Sequence, residues 1–471
     1  MNNMKESVCK INSGFKVLLE AINNTPAGTA FIEDEKGILC GIVTDGDFRR
    51  MLLAGKDLNA KIEQSDLKSF ISAKKGEDFQ KLLEKTNQKI NIIPIVDEEN
   101  RLIDYFEFKH RTKFTPVAEP SLDNRELEYL LDAFSSTWIS SRGKYIDSFE
   151  ENFSKYCTTK HGVAVSNGTV AIHLALVALG IKEGDEVIVP DLTFAATINA
   201  VLHANATPVI VDVEKDSWTI DPIEIRRAIT SKTKAIIPVH VYGQPCKMDE
   251  IMLIAKEHNL KVIEDCAEAH GAEYKGQRVG SFGDISTFSF FANKIITTGE
   301  GGMCMTNSSE LDDKMRVLRD HGMSKEKRYW HIELGFNYRM TNLQAAIGCA
   351  QLEKIESILE RNDKIEQSYI EHLDSLNIIQ WQKTFSDRKK VVWLMCCTSA
   401  YRDQIKQALV DNGIDVRPFF YCLSEMPLYS KYTFSSKNAR EISKIGMNLP
   451  TVNNVDYQKV QEILKEMVGK L

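Results

Sequence analysis

Lys294 stands between an aromatic run, Ser289-Phe-Phe-Ala-Asn-Lys294, and a glycine-rich turn, Thr297-Thr-Gly-Glu-Gly-Gly302. The aromatic run reads as a buried strand, so the ammonium is expected to be partly desolvated. Burial disfavours the charged form, lowers the pKa and frees the neutral amine. Neutral primary amines condense with carbonyl groups to give Schiff bases, and they also carry protons as acid and base. Most lysines beside strands are simply solvated. The assignment therefore depends on the other residues that could share the site.

Glu264-Asp265-Cys-Ala-Glu268-Ala-His270-Gly closes an apolar strand. A carboxylate at 265 can pair with a protonated pyridine nitrogen, and a ring kept cationic absorbs electrons from an adjoining carbanion. Unit charges about 3 Å apart at an effective dielectric near 20 attract by on the order of 5 kcal/mol before desolvation, enough to hold that proton. Asp265 reads equally as a strand-end cap. Glu268 is spaced to reach a ring hydroxyl; His270 orients Asp265, touches a cofactor or fills core. Ser166-Asn-Gly168-Thr169 ends a strand and opens a helix, where bare amides suit a phosphate or form an ordinary N-cap. Ser289 offers a further hydroxyl, or is a plain strand serine. Phe194, at the end of Pro190-Asp-Leu-Thr-Phe194, stacks on a flat ring or packs in the core. Pyridoxal phosphate is the cofactor that needs such a lysine.

Strand and helix patterns alternate after residue 162. Strands are expected at 163–165, 186–189, 208–211, 235–239 and 261–264, with helices at 169–179, 194–203, 222–229 and 248–258 between them. Alternation of this kind predicts parallel strands with crossover helices in an α/β/α sheet, whose strand ends collect ligands. Helices are also expected at 124–134 and 145–156, then at 341–359 and 361–374. A smaller mixed region follows, with a strand at 391–396 and a helix at 400–412.

The 471 residues are too many for one ordinary domain, about three by length. The balance of 59 basic and 66 acidic residues, net charge -7, argues against a nucleic-acid partner held by bulk charge. No apolar run reaches membrane-span length, and the N-terminus lacks the apolar core of a secretion signal. The ten cysteines are scattered, which predicts reduced thiols in a cytoplasmic protein with neither zinc site nor disulfide framework.

Residues 1–113 read as a separate α+β module. Ala30-Phe-Ile32 and Gly41-Ile-Val-Thr44 are strands joined by a polar turn, and Thr44-Asp-Gly-Asp47 opens a helix at Phe48–Leu53. A weaker copy follows, with a helix at Phe79–Lys85, a strand at Ile92–Val96 and a turn at Asp97–Arg101, so an internal duplication is expected. Residues 112–120 form a proline-bearing linker. Gly41-Ile-Val-Thr-Asp-Gly-Asp47 resembles the motif of paired CBS modules, regulatory units that often bind adenine nucleotides. That resemblance implies nucleotide contacts for Thr44 and Asp47; otherwise Asp47 is a helix cap in a dimerising module. The second half, Tyr105-Phe-Glu-Phe-Lys-His110, lacks the Thr-x-x-Asp pattern, so one nucleotide site is implied at most.

Beyond about residue 115 the motifs resemble the DegT-type sugar-nucleotide aminotransferases, with the fold-type I pyridoxal phosphate architecture. Glu119-Pro-Ser-Leu-Asp, Ser136-Thr-Trp-Ile-Ser-Ser-Arg-Gly-Lys-Tyr-Ile-Asp147, His240-Val-Tyr-Gly-Gln-Pro-Cys246, Thr297–Gly302, Arg328-Tyr-Trp-His331 and Gly335-Phe-Asn-Tyr-Arg-Met-Thr-Asn342 look most like the subgroup that makes GDP-perosamine. The resemblance implies a large domain at 114–360 and a small C-terminal domain at 361–471. It implies that Lys294 forms the Schiff base and shuttles the proton, and that Asp265 holds the pyridine nitrogen. It further implies Glu268 on the ring hydroxyl, Phe194 over the ring and Gly168, Thr169 and Ser289 on the phosphate. Asn337 would reach the neighbouring subunit's cofactor, making a homodimer or higher homo-oligomer with shared sites. Tyr329, His331, Arg339 and Arg417 would face substrate.

The implied reaction moves the amino group of L-glutamate to the 4-keto group of a nucleotide-linked 4-keto-6-deoxyhexose, GDP-linked by the subgroup resemblance, for cell-surface polysaccharide. UDP- or dTDP-linked keto sugars are the rival substrates, and a nucleotide-sensing protein with an inert aminotransferase part is the rival class. Three segments depart from the subgroup: Pro190-Asp-Leu-Thr-Phe194, His270 in place of phenylalanine, and Cys422-Leu-Ser424 after Tyr421.

Overall fold

The computed structural model describes residues 4–24, 28–67, 69–78, 81–82, 85–86, 90, 92–107 and 114–469. The chain forms two compact units, Met1–Lys113 and Phe114–Leu471.

The first unit repeats one arrangement. Val8–Lys10 pairs parallel with Thr29–Glu33, which pairs antiparallel with Leu39–Thr44; the register slips between Ile32 and Glu33. Ala73–Lys74, Ile92–Val96 and Leu102–Glu107 pair in the same parallel and antiparallel order, with a slip between Ile95 and Val96. Each antiparallel turn is closed by an aspartate accepting from the backbone ahead of it, Asp34 from Ile38 and Asp97 from Arg101. Helices Phe15–Asn23 and Asp45–Leu53 meet through Phe15 and Phe48, ring centroids 5.6 Å apart. The helix expected at Phe79–Lys85 and the residues around His110 fall in part outside the described residues.

In the second unit seven strands lie in the order His161–Val165, Gly302–Thr306, Ile285–Ser289, Lys261–Asp265, Thr233–Ile236, Glu186–Pro190, Thr207–Val211. All run parallel except Gly302–Thr306, which is antiparallel to both neighbours. Alternation predicts only parallel pairing, but the link from Ser289 to Gly302 contains no crossover helix, so the chain must return in the opposite direction. The strand expected through the aromatic run ends at Ser289, which leaves Phe290, Phe291 and Lys294 on the connection at the sheet's ligand-bearing edge.

Helix Lys144–Tyr156 packs on that connection. Phe149 and Phe153 are buried against Phe288 and Phe290, with centroids 5.0 Å apart for Phe149–Phe290 and 4.9 Å for Phe153–Phe288. Each buried phenylalanine contributes about 1.5–3 kcal/mol, more than an exposed ion pair at about 0–1 kcal/mol. Ring packing rather than charge thus holds the strand end beside Lys294. A second anchor joins the Ser136–Asp147 and Gly335–Asn342 motifs. Asn342 accepts from Tyr145 N at 3.1 Å and donates to Trp138 O at 2.7 Å. Gly143 makes the approach feasible, because a Cβ there would lie 2.3 Å from the Asn342 side chain.

The two helices after residue 340 break at Lys354, giving Asn342–Glu353 and Ile355–Leu373. Residue 360, read from the sequence as a domain boundary, lies inside the second helix, and the compact unit is not divided there. The late strand is Met395–Thr398 rather than 391–396. It belongs to a four-stranded antiparallel sheet with Gln380–Trp381, Gly446–Leu449 and Arg417–Pro418. Val391–Leu394 is buried without being a strand, bends at Trp393 and Leu394, and leads from Gly243 past Lys294 into that sheet. No described helix is long and apolar enough to cross a membrane.

Candidate active site

The parallel strands deliver their carboxyl ends to a cavity of about 770 Å³ lined by Lys294, Asp265, Glu268, Phe194, Gly168, Thr169, Ser289 and Arg417, among others. Asp265 ends its strand with the carboxylate fixed at both oxygens: Thr197 Oγ1 donates to Oδ2 at 2.9 Å and Ala267 N to Oδ1 at 3.2 Å. Burial pushes its pKa up, and the charge of Lys294 opposes that rise. Glu268 Oε2 accepts from Tyr242 N at 2.7 Å. Tyr242 adopts a left-handed conformation, φ 52°, which costs about 1–2 kcal/mol for an L residue and turns its N–H onto the carboxylate.

Lys294 Nζ lies 3.7 Å from Glu268 Oε1 and 3.9 Å from the Trp393 ring centroid. The indole is locked by its own donation to Asn293 O at 2.7 Å. Burial lowers the Lys294 pKa, with Glu268 and Asp265 opposing, and burial raises Glu268 to about 7. Both shifts are toward the neutral forms, and the neutral form of the amine is the base and nucleophile.

At the far end, helix Gly168–Ala178 opens toward the cavity. Asn167 caps it by accepting from Val170 N at 3.0 Å, and among the described residues nothing accepts from the amides of Gly168 and Thr169. A Cβ on Gly168 would lie 2.7 Å from Ser289 Cβ, so only glycine leaves this cradle open. Two vacant amides, two hydroxyls and the positive helix end make an anion site. Phe194 is half-exposed at the rim, with its ring 5.7 Å from that of Phe420.

Several sequence candidates lie elsewhere. Tyr329, His331, Asn337 and Arg339 do not line the cavity of their own chain. They sit on an exposed segment in which His331 Nδ1 meets His321 O and Arg339 binds Asn337 and Asp320. His270 neither orients Asp265 nor enters the cavity: it is buried against Phe153, Phe288 and Phe290, and neither ring nitrogen has a hydrogen-bond partner. Burial holds it neutral, with a pKa of about 3. In the first unit Thr44 and Asp47 close a capping box on each other, and Arg50 also binds Asp47 at 2.7 Å. Arg417 does line the cavity and lies 3.5 Å from Asp415.

Sequence reasoning missed Thr197, Tyr242, Trp393, Phe420 and Asn448. Thr197 alone had a local signal, three residues after Phe194 on the same helix entry. His240, Glu264 and Cys266 cluster with the spacing of metal ligands, but Glu264 already accepts from the backbone N–H groups of Gly280, Phe282 and Gly283. Cys246 N donates to His240 Nδ1, so the ring is free to give Nε2–H to Glu264.

The profile of the DegT/DnrJ/EryC1/StrS aminotransferase family matches residues 120–468. The chain belongs to this family. It is 46% identical over 351 residues to the GDP-perosamine synthase of Escherichia coli O157:H7, covering 74% of this chain and 96% of that one. It is 48% identical over 362 residues to the GDP-perosamine synthase of Caulobacter vibrioides, covering 75% and 98%. Among solved structures it resembles DesV of S. venezuelae, with a TM-score of 0.70, 31% identity and coverage of 76% and 100%. The family match does not extend into the first unit. This DegT-family chain is therefore an enzyme, an aminotransferase that uses pyridoxal phosphate. Its cavity fits that cofactor: an anion cradle, a fixed carboxylate and a desolvated amine surround one space.

Proposed function

We propose that the second unit transfers the amino group of L-glutamate to C4 of GDP-4-keto-6-deoxy-mannose, giving GDP-perosamine for cell-surface polysaccharide. The observation that carries the reading is the desolvated Lys294 between Glu268 and the Asp265 strand end, in a chain 46–48% identical to GDP-perosamine synthases over their near-full length. Pyridoxal phosphate, when bound, supplies the carbonyl that carries the amino group and the ring that accepts electrons. Gly168, Thr169 and Ser289 hold its phosphate, and Phe194 covers its ring. Asp265, aimed by Thr197 and Ala267, keeps a ring nitrogen protonated, and Glu268, aimed by Tyr242, receives the ring hydroxyl.

Lys294 carries the proton in both halves of the reaction. Its neutral amine takes the proton from the glutamate α-carbon and its ammonium would pass it to the cofactor-side carbon; in the second half the amine would take a proton back from that carbon and the ammonium deliver it to sugar C4. Trp393 and the aromatic rim exclude water from that exchange. Arg417 offers a guanidinium to the donor carboxylate or the diphosphate. Asn337, Tyr329, His331 and Arg339 serve the cavity of a partner subunit, a reading supported by the exposure of Tyr329, Trp330, Ile332 and Leu334 beside them. The first unit is a CBS-like regulatory module with at most one adenine-nucleotide site near Thr44 and Asp47; its repeated strand order supports the duplication.

Side-by-side assays with GDP-, UDP- and dTDP-linked 4-keto-6-deoxyhexoses and glutamate test the substrate. Turnover is expected with the GDP sugar, and a preference for UDP or dTDP would overturn the assignment. Lys294→Ala should abolish turnover and the borohydride-dependent labelling of this peptide by the cofactor. A hybrid of Lys294→Ala and Asn337→Ala subunits should regain activity in one shared site; an inactive hybrid argues against sharing.

A further inference from the structure

Two of the segments that depart from the subgroup meet in space. Asp191 follows strand Glu186–Pro190 and is fully buried. Its Oδ1 accepts from Ser424 N at 2.7 Å and its Oδ2 from Ser424 Oγ at 2.8 Å; Ser436 Oγ also donates to Oδ2. Its carbonyl accepts from Leu423 N at 3.1 Å. No cation pairs with it among the described residues; the Arg440 guanidinium donates instead to Ser424 Oγ at 3.2 Å.

A buried carboxylate without a counter-ion is expensive, and a well-packed apolar residue would stabilise the fold at least as well. What the carboxylate adds is direction. Charge-assisted bonds to both oxygens from one loop fix that loop in one place. The loop follows directly on Arg417–Pro418 and Phe420, and Phe420 N is held by Tyr242 Oη at 2.8 Å. The strand-end side of the knot continues into Phe194, then through Thr193 and Thr197 hydroxyls 3.1 Å apart to Asp265. One short stretch therefore ties the C-terminal loop to the floor of the cavity, with Phe194 and Phe420 in ring contact at its rim.

We propose that Asp191 is a positioning residue for the acceptor: through Ser424 and Ser436 it holds Phe420 in contact with Phe194, and so fixes the rim of the cavity that the nucleotide sugar meets. Glutamate is small and reacts at the Lys294 end, so it depends less on that rim. The proposal rests on the nucleotide-sugar reading above and assigns the acceptor-specific part of it.

The test separates the two half-reactions of the holoenzyme by following the absorbance of the bound cofactor, first with glutamate and then with the GDP-linked keto sugar. Asp191→Asn and Ser424→Ala should raise the half-saturating sugar concentration about tenfold and leave the glutamate half-reaction within about twofold, as expected for a positioning defect. Ser424→Thr, which keeps the hydroxyl, should restore most of the loss. Should Asp191→Asn fail to fold, Ser436→Ala on the other side of the knot gives the same comparison. Equal losses in both half-reactions, or an unchanged sugar half-reaction, would overturn the proposal alone. A wild-type enzyme inert to every nucleotide sugar would overturn the functional reading and this proposal with it.

Discussion

The two units each contain a strand that runs into a helix through a polar turn, and the two turns end differently. After Leu39–Thr44 the helix start is closed: Thr44 and Asp47 satisfy each other's backbone and side-chain groups, and Arg50 neutralises the acid. After His161–Val165 the start is open: Asn167 caps one amide, and Gly168 and Thr169 point theirs into a cavity. Both helices carry the same terminal dipole. What separates a binding site from a mere helix start is whether the chain's own carboxylate already occupies the position an anion would take. An acid three residues past the cap closes the first turn; Val170 stands at that place in the second.

Closing the open turn should have the largest effect. Gly168→Val pushes a branched side chain into Ser289 and fills the cradle. Overpacking here costs about 3 kcal/mol, so cofactor affinity should fall about a hundredfold, read by titrating pyridoxal phosphate into apoenzyme. Affinity within threefold of wild type would mean the open turn is not the anion site.

The next variant separates the cradle from its apolar backing. Ser289 lies between strand residue Phe288 and Phe290, and both rings pack on His270. The folded-state pKa of His270 is depressed to about 3 by burial, so the unfolded chain takes up a proton that the folded chain refuses. Its contribution to stability is complete above the unfolded value near 6.5 and is lost progressively as pH falls toward 3, at about 1.4 kcal/mol per pH unit. His270→Phe should flatten that part of the denaturation profile while kcat at pH 8 stays within about twofold. An unchanged acid limb would show that His270 does not govern it.

Opening the closed turn should have the smallest effect. Asp47→Ala removes half of the capping box, worth about 1 kcal/mol. Hydrogen exchange of the Asp45–Leu53 amides should quicken about fivefold, with aminotransferase turnover unchanged when no nucleotide is present. The same variant compared with wild type in AMP and ATP titrations of activity tests the regulatory reading; identical curves would remove it.

Much of the sheet and the acidic strand end could be read from the sequence, because helix and strand periods alternate and Asp265, Glu268 and Lys294 sit beside glycine and strand boundaries. Strand direction could not, since an apolar run such as Gly302–Thr306 reads the same either way. The helix break at Lys354 was hidden because no glycine or proline marks it. The turn is held instead by ion pairs from Lys354 to Glu126 and Asp123, at 2.7 and 2.8 Å, that form only after folding. Trp393 and Tyr242 were illegible for a related reason: each acts through a contact far along the chain, and the motif around Tyr242 names no partner for it. For His270 the sequence left a cofactor-side role and a core position both open, and the phenylalanines that decide for the core, Phe153, Phe288 and Phe290, lie far along the chain.

Trp393 has a consequence for how the enzyme is made. The lysine emerges from the ribosome well before the indole that covers it, and Asn448, which also lines the cavity, emerges later still. A nascent chain paused between them holds an unroofed amine that any aldehyde in the cell can reach. Selective loading with vitamin B6 thus waits for Trp393 and Asn448 to be made and folded onto the cavity.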